Sequence, residues 1–207
     1  MRTHHLVLLT GFGIFSLISL FYLIRVVKEG RRSDPSQPEG RALPAVVYAL
    51  TASMSPLRKE TAYLHVPTYT AGLLFHVGTF LGFGWLAIHL FQLRIGPFLT
   101  TGSTFLLMVS AVCGLSILIK RIVTPKMRIL SNPDDYASNL LVTGFQALSA
   151  LTLLRSDLIP VLFIYGGVLF LFIPASKLRH TIYFFTSRIH LGIFYGRRGI
   201  WPPGARR

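Results

Sequence analysis

Residues 158–181 read LIPVLFIYGGVLFLFIPASKLRHT, and this stretch decides the fold. From Leu158 to Ser176 no side chain carries a charge, and the run passes through Pro174 into Lys177, Arg179 and His180. At 1.5 Å per residue a helix of this length reaches about 30 Å, the thickness of the hydrocarbon core of a bilayer. An apolar run of that length stopped by cations reads as a membrane-crossing helix. The imidazole at its charged end is the chemically informative residue. A histidine near a membrane face is costly when idle and useful as an axial ligand, because neutral imidazole binds iron through one ring nitrogen.

Working outward, the same pattern recurs. Leu6 to Ile24 is an apolar run followed by Arg25, Lys28, Arg31 and Arg32, and it is expected to be a retained span, since no small-x-small cleavage site precedes the charges. A second span is expected over about 68–93, opened by Pro67, and Gly96-Pro97 turn into a third over 98–119, which stops at Lys120 and Arg121. Asn132-Pro133-Asp134-Asp135 supply a cap for a fourth over 137–154, and Arg155-Ser156-Asp157 turn into the fifth over 158–181. Residues 29–41 read as a surface loop, 45–64 as an interfacial helix or docking surface, and 182–207 as an amphipathic, basic cytoplasmic tail. The expectation is an all-α integral membrane bundle of five transmembrane helices, one membrane domain over 1–207.

Charge sets the expected orientation. The loops after spans one and three and the C-terminal tail, with Lys177 and Arg179 counted in the last, hold seven, four and seven Lys and Arg, which leaves only Arg2, Arg94 and Arg155 for the other side. By the positive-inside rule the N-terminus lies outside and the C-terminus in the cytoplasm.

Composition excludes several classes. A mean hydropathy of +0.57, with 52% hydrophobic and 14% charged residues, is too apolar for a soluble domain. The net charge of +14 sits beside apolar spans and forms no continuous basic face, so a nucleic-acid partner is not expected and a lipid membrane is. With one cysteine, Cys113, the chain alone can build neither an iron–sulfur cluster nor a cysteine-type zinc site. No carboxylate couple, nucleophile triad or phosphate-cradling loop is present, so no catalytic residue is named. The spans offer almost none of the polar lining that a small transporter or channel needs.

An axial histidine on span five needs a partner on a facing helix. Leu73-Leu74-Phe75-His76-Val77-Gly78 offers one, inside a run with glycines at 72, 78, 82 and 84. Small residues there let a flat macrocycle approach the backbone. Leu74-Phe75-His76-Val77-Gly78 and Pro174-Ala175-Ser176-Lys177-Leu178-Arg179-His180 together resemble the gamma-subunit family of respiratory nitrate reductase. Its relatives include the membrane cytochromes b of heterodisulfide reductase and of transmembrane redox complexes in sulfate reducers. The segment around Asn132 to Leu141, Ser187-Arg188-Ile189-His190-Leu191-Gly192 and Arg197-Arg198-Gly199 are similar to these proteins as well, and the likeness covers about residues 45–199.

The resemblance implies heme b held by His76 and His180 as axial ligands to its iron, with Arg179, Lys177 and Arg188 as candidates for propionate contacts. It implies a multi-pass subunit of a prokaryotic inner membrane that passes electrons within a respiratory oxidoreductase complex. Its partners would be a cytoplasmic iron–sulfur subunit and other membrane or periplasmic redox subunits, and quinone is a candidate substrate. The second heme's span-two ligand would stand at Leu86 by the spacing of the nitrate reductase branch, or at His89, 13 residues after His76, by that of some relatives, and the family's outer span-five ligand falls at Leu162; neither leucine binds iron. One heme is therefore favoured, and a second would need His89 with His4, His5 or a neighbouring chain. Otherwise His89 is a buried polar residue or part of a quinone pocket. His65 and His190 are offset from His76 and His180 by 11 and 10 residues, but Pro67 and the surrounding charge make them interface histidines. The alternative from another class is a heme-free membrane anchor for cytoplasmic redox subunits.

Overall fold

A computed structural model describes residues 2–30, 37–55 and 62–204. Within them the chain forms eight α-helices and no strand: α1 (Thr3–Glu29), α2 (Ala42–Leu50), α3 (Val66–Leu90), α4 (Pro97–Val123), α5 (Pro125–Ile129), α6 (Pro133–Leu154), α7 (Ile159–Phe172) and α8 (His180–Arg197). Five stretches among the described residues are long and apolar enough to cross a membrane: α1, α3, α4, α6, and residues 156–175, which contain α7. Their mean hydropathies run from 1.4 to 2.3. Only helices keep every backbone donor and acceptor paired within such a segment. Arg31, Arg32, Arg58, Lys59, Glu60, Arg206 and Arg207, which the sequence pattern assigns to loops and tail, lie outside the described residues.

The chain divides into two compact units, residues 1–16 with 67–178, and residues 17–66 with 179–207. Helix α1 contributes its first half to the former and its second half to the latter.

In the first unit the side-chain pairings run as a ladder that fixes the direction of each helix. Phe75 and Gly78 on α3 meet Ser110 on α4, and Lys120 at the end of α4 reaches Thr68 at the start of α3, so these two are antiparallel. On α6, Gln146 meets Phe75, Ser149 faces Gly82, and Thr152 meets His89, so α3 and α6 are parallel. Tyr165 of α7 donates to the Leu141 carbonyl of α6 at 2.9 Å, and Lys177 reaches Asp135, an antiparallel pair. On α1, His5 lies against Phe163, Gly11 against Gly167 and Phe15 against Phe170, so α1 and α7 are parallel. Odd and even spans therefore alternate in direction, as successive crossings require.

The core of this unit gathers Leu8, Leu86, Val142, Phe145, Leu162, Phe163, Leu169 and Phe170. Outward faces are apolar too: Phe98 is 89% exposed, Phe105 70% and Val112 63%. Surfaces of that kind are stable against lipid and aggregate in water. Hydroxyls on the spans turn back on their own helices, as Thr79 does to the Phe75 carbonyl and Ser116 to that of Val112.

One end of the unit carries a polar clasp. Asn132 and Asp135 form a reciprocal capping box that opens α6. The Asp135 carboxylate also accepts from Lys177 Nζ at 2.7 Å and stands 3.6 Å from the Arg121 guanidinium. Asp134 accepts from the Lys177 backbone N–H and from Ser138.

The helix of span three runs on past 119 to Val123 and that of span four opens at Pro133, before 137; two further ends differ from the expectation drawn from sequence, each with a local cause. Span two stops at Leu90 because Gln92 adopts a left-handed φ of 54°, with the Leu93 N–H on the Ile88 carbonyl and the Gln92 N–H on that of His89. This is a Schellman closure with glutamine where glycine is usual. Span five does not continue to Thr181: Pro174 removes a donor, the chain tightens into a 3₁₀ turn over Ile173–Ala175, and Ser176 is extended. His180 then begins a new helix.

The second unit pairs α2 with α8 through glycine contacts. A Cβ on Gly192 would meet the Val46 backbone, one on Gly196 the Ala45 side chain, and one on Gly40 the Gly196 carbonyl. Ala45 and Ala49 are fully buried. The N–H groups of Glu39 and Gly40 donate to the Arg197 carbonyl, pairing the otherwise orphaned C-terminus of α8. Trp201 packs between Tyr48 and Tyr195 at 5.4 and 4.8 Å. Leu43 and Val47 of α2 face outward.

Candidate functional site

His76 lies near the middle of α3 and its side chain is exposed. Its Nδ1 stands 2.7 Å from the Gly72 carbonyl one turn earlier. A carbonyl oxygen only accepts, so Nδ1 carries the hydrogen, and in the neutral ring Nε2 is the lone-pair nitrogen. Metal-ligating histidines are commonly oriented in this way, with the second nitrogen donating to a backbone carbonyl. The Phe75 ring meets the imidazole edge-on at 6.2 Å.

The residues behind His76 form a buried polar network that sequence reasoning does not single out. Gln146, on α6, is fully buried; its Nε2 donates to the Phe75 carbonyl and to Thr79 Oγ1, both at 2.7 Å. Its Oε1 accepts from Ser110 Oγ of α4 at 2.7 Å. The signal in the sequence is an amide inside an apolar span, a group that must find partners in a membrane. Gly78 makes the approach possible, because a Cβ there would collide with the Ser110 side chain. Gly114 does the same for the Phe75 ring and Thr143.

His180 is the first residue of α8 and is exposed. It belongs to the second unit and His76 to the first, so each is positioned by its own set of contacts. Arg179 precedes it, also exposed. Arg188 lies 5.7 Å from the Phe184 ring centroid, one turn back on the same helix. Lys177 is engaged: its ammonium holds Asp135 and its backbone N–H holds Asp134. Its first role is therefore the clasp.

His89 is half-buried beside Trp85, with ring centroids 5.8 Å apart, and its Nε2 is 3.4 Å from Thr152 Oγ1. Thr152 spends its own hydrogen on the Ser149 carbonyl at 2.7 Å, so the imidazole donates to the hydroxyl. Nε2 is then occupied, as suits a buried polar residue. The His4 and His5 rings lie 4.5 Å apart, tilted by 36°, and both contact Phe163, with the His5 Nδ1 buried and unpaired. Leu162 is buried in the core. His65 and His190 are exposed. Among the described residues no three His, Cys, Asp or Glu side chains gather into a metal site; an axial heme pair needs only two ligands.

A cavity of about 380 Å³ opens between α1, α3 and α7, bounded by Leu8, Phe12, Phe83, Leu86, Leu90 and Phe170. No histidine or other polar group lines it, so it suits a hydrocarbon chain and offers nothing to bind iron.

No protein-family model, no curated protein and no solved structure matches this chain. The likeness carried by Leu74–Gly78 and Pro174–His180 therefore rests on those motifs, beside the geometry of the residues within them.

Proposed function

We propose that this chain is a membrane cytochrome b subunit, with His76 and His180 as the axial ligands of one heme b. The observation that supports the reading best is the hydrogen bond from His76 Nδ1 to the Gly72 carbonyl. It holds the ring in the tautomer an iron ligand needs, on an exposed face of a span, where an imidazole is otherwise unfavourable. That tautomer supports His76 as a ligand. Heme b, when bound, supplies one-electron transfer, and the protein supplies ligand field, dielectric and distance.

In this reading Gly72 orients His76, while Arg179 and Arg188 bring positive charge for the propionates. Lys177, held by Asp135, contributes by fixing the end of span five in the first unit. The N-terminus lies outside, and the basic loops and tail face the cytoplasm of a prokaryotic inner membrane. There the chain docks an iron–sulfur subunit and exchanges electrons with menaquinol or, through further subunits, a periplasmic cytochrome c. The apolar cavity beside Phe83 and Phe170 suits an isoprenoid tail. Such a subunit transfers electrons and is not an enzyme by itself.

The test is heme b per polypeptide, measured by pyridine hemochrome on the purified complex with other heme subunits accounted for. One heme per chain, lost in both His76→Ala and His180→Ala protein, is the expected result. Two would mean that the ligand absent at Leu162 has been replaced. None, or full content in His76→Ala protein, would refute the assignment in favour of a heme-free anchor.

A further inference from the structure

The network behind His76 consumes every hydrogen-bonding group of a fully buried amide. Both Gln146 hydrogens go to α3, one to the Phe75 carbonyl and one to Thr79, and the amide oxygen takes the Ser110 hydroxyl of α4. The Phe75 carbonyl accepts a second hydrogen from Thr79 Oγ1 at 2.7 Å. Phe75 is the residue immediately before His76, and its ring is wedged against Gly114. At Gly78, two residues beyond His76, α3 approaches Ser110 without a Cβ between them. Three contacts therefore converge on one turn of α3, at Phe75, Gly78 and Thr79, and His76 stands within that turn.

A helix in lipid has little to oppose rotation about its own axis, since apolar side chains are equally content against tails or neighbours. A side-chain tip stands about 5–6 Å from the helix axis, so a 20° roll moves it by about 2 Å. That is the difference between a ligand on its metal and one off it, or between two ring orientations. Helix glue alone is served by a hydrogen bond anywhere along α3, as Lys120 to Thr68 and His89 to Thr152 are at its two ends. Both hydrogens of the Gln146 amide fall instead on the turn that carries the imidazole.

We propose that Gln146 is a positioning residue for His76: its amide, with Ser110 and Thr79, sets the rotation of α3 and so the orientation of the axial imidazole. This rests on the cytochrome reading above. The variant is Gln146→Met, which keeps volume and removes all three bonds, studied in the full-length protein within its membrane complex. The readouts are heme per polypeptide, the largest g-value of the low-spin ferric heme, and the heme midpoint potential. The expected result is heme retained with both g-value and potential shifted, and restored in part in Gln146→Glu, whose neutral acid keeps the acceptor and one of the two donors. Unshifted g-value and potential in Gln146→Met, even with lowered thermal stability, would overturn the proposal and leave Gln146 as helix glue. If Gln146→Met fails to accumulate, Ser110→Ala and Thr79→Val decide on the same readouts. Wild-type protein without heme would sink the cytochrome reading itself and this proposal with it, whereas a normal wild-type spectrum with an unshifted variant sinks this proposal alone.

Discussion

Gly78→Ala tests the packing of the first unit without reference to any cofactor. The added methyl would fall on the Cβ and Oγ of Ser110 and come within 3.6 Å of the Gln146 amide carbon. Ser110 is fully buried, and its hydroxyl is committed to Gln146 at 2.7 Å, so it cannot turn aside and keep that bond. Two costs follow. Overpacking a filled interior costs about 1–3 kcal/mol. An interhelical hydrogen bond in a membrane protein contributes about 0.6 kcal/mol on average and about 1.7 at most. The sum is roughly 2–5 kcal/mol, or a melting temperature lower by roughly 4–20 °C for a chain of this size. The pair Gly78→Ala with Ser110→Gly removes the obstructing side chain and should recover the overpacking part, but not the hydrogen bond. Reversible unfolding of the purified protein in mixed micelles measures all three proteins. Wild-type stability in Gly78→Ala, or a double variant no better than the single, would refute this account of the α3–α4 contact.

Gly167→Leu should release the first half of α1, because a side chain there enters the Val7 backbone; in a Cys113→Ser background, a disulfide between His5→Cys and Phe163→Cys should form without this change and be lost with it. Asp135→Ala removes the second half of the α6 capping box together with the Lys177 bond, and should cost about 1–3 kcal/mol, against under about 1 for Lys177→Ala at a half-exposed ammonium; the same unfolding assay ranks them, and the reverse order would refute the clasp. For orientation, Arg94→Cys and Arg155→Cys should react with an impermeant maleimide in intact cells, and Arg128→Cys only after lysis, with the opposite pattern inverting the topology. His89→Ala should leave heme content unchanged if one heme is bound, and loss of heme would make His89 a ligand.

The five spans were legible because a bilayer imposes length and hydropathy on any helix that crosses it. Helix ends were legible only where the chain uses common signals. Pro97 and Pro133 each open a helix, and Asn132 caps one. The end of α3 was overrun to Leu93 because a glutamine, not a glycine, takes the left-handed position at residue 92. Likewise the sequence carries span five on to Thr181, although Pro174 and Ser176 break the chain and His180 already opens α8. The packing of α8 on α2 was out of reach, since Gly40, Gly192 and Gly196 act by what they lack, and such contacts leave no hydrophobic period to find.

For the candidate site the division falls differently. His76 stood out as an imidazole in an apolar run, yet what makes it chemically specific, the Gly72 carbonyl on Nδ1, is a backbone contact that any helix could supply. Lys177 was a propionate candidate on charge alone, and the structure engages it with Asp135, a residue 42 positions away that charge counting cannot pair with it. Gln146 was passed over for a deeper reason. Patterning treats a lone polar residue in an apolar span as a tolerated interruption, and the same pattern cannot choose among helix rotations, because in lipid most apolar packings are close in free energy. A buried amide reverses that indifference. Its three bonds can be made in few rotations of α3 against α4 and α6, and every other rotation leaves a polar group unpaired in hydrocarbon, at a cost of several kcal/mol. The least hydrophobic residue of the interior is thus the one that specifies how the hydrophobic helices fit.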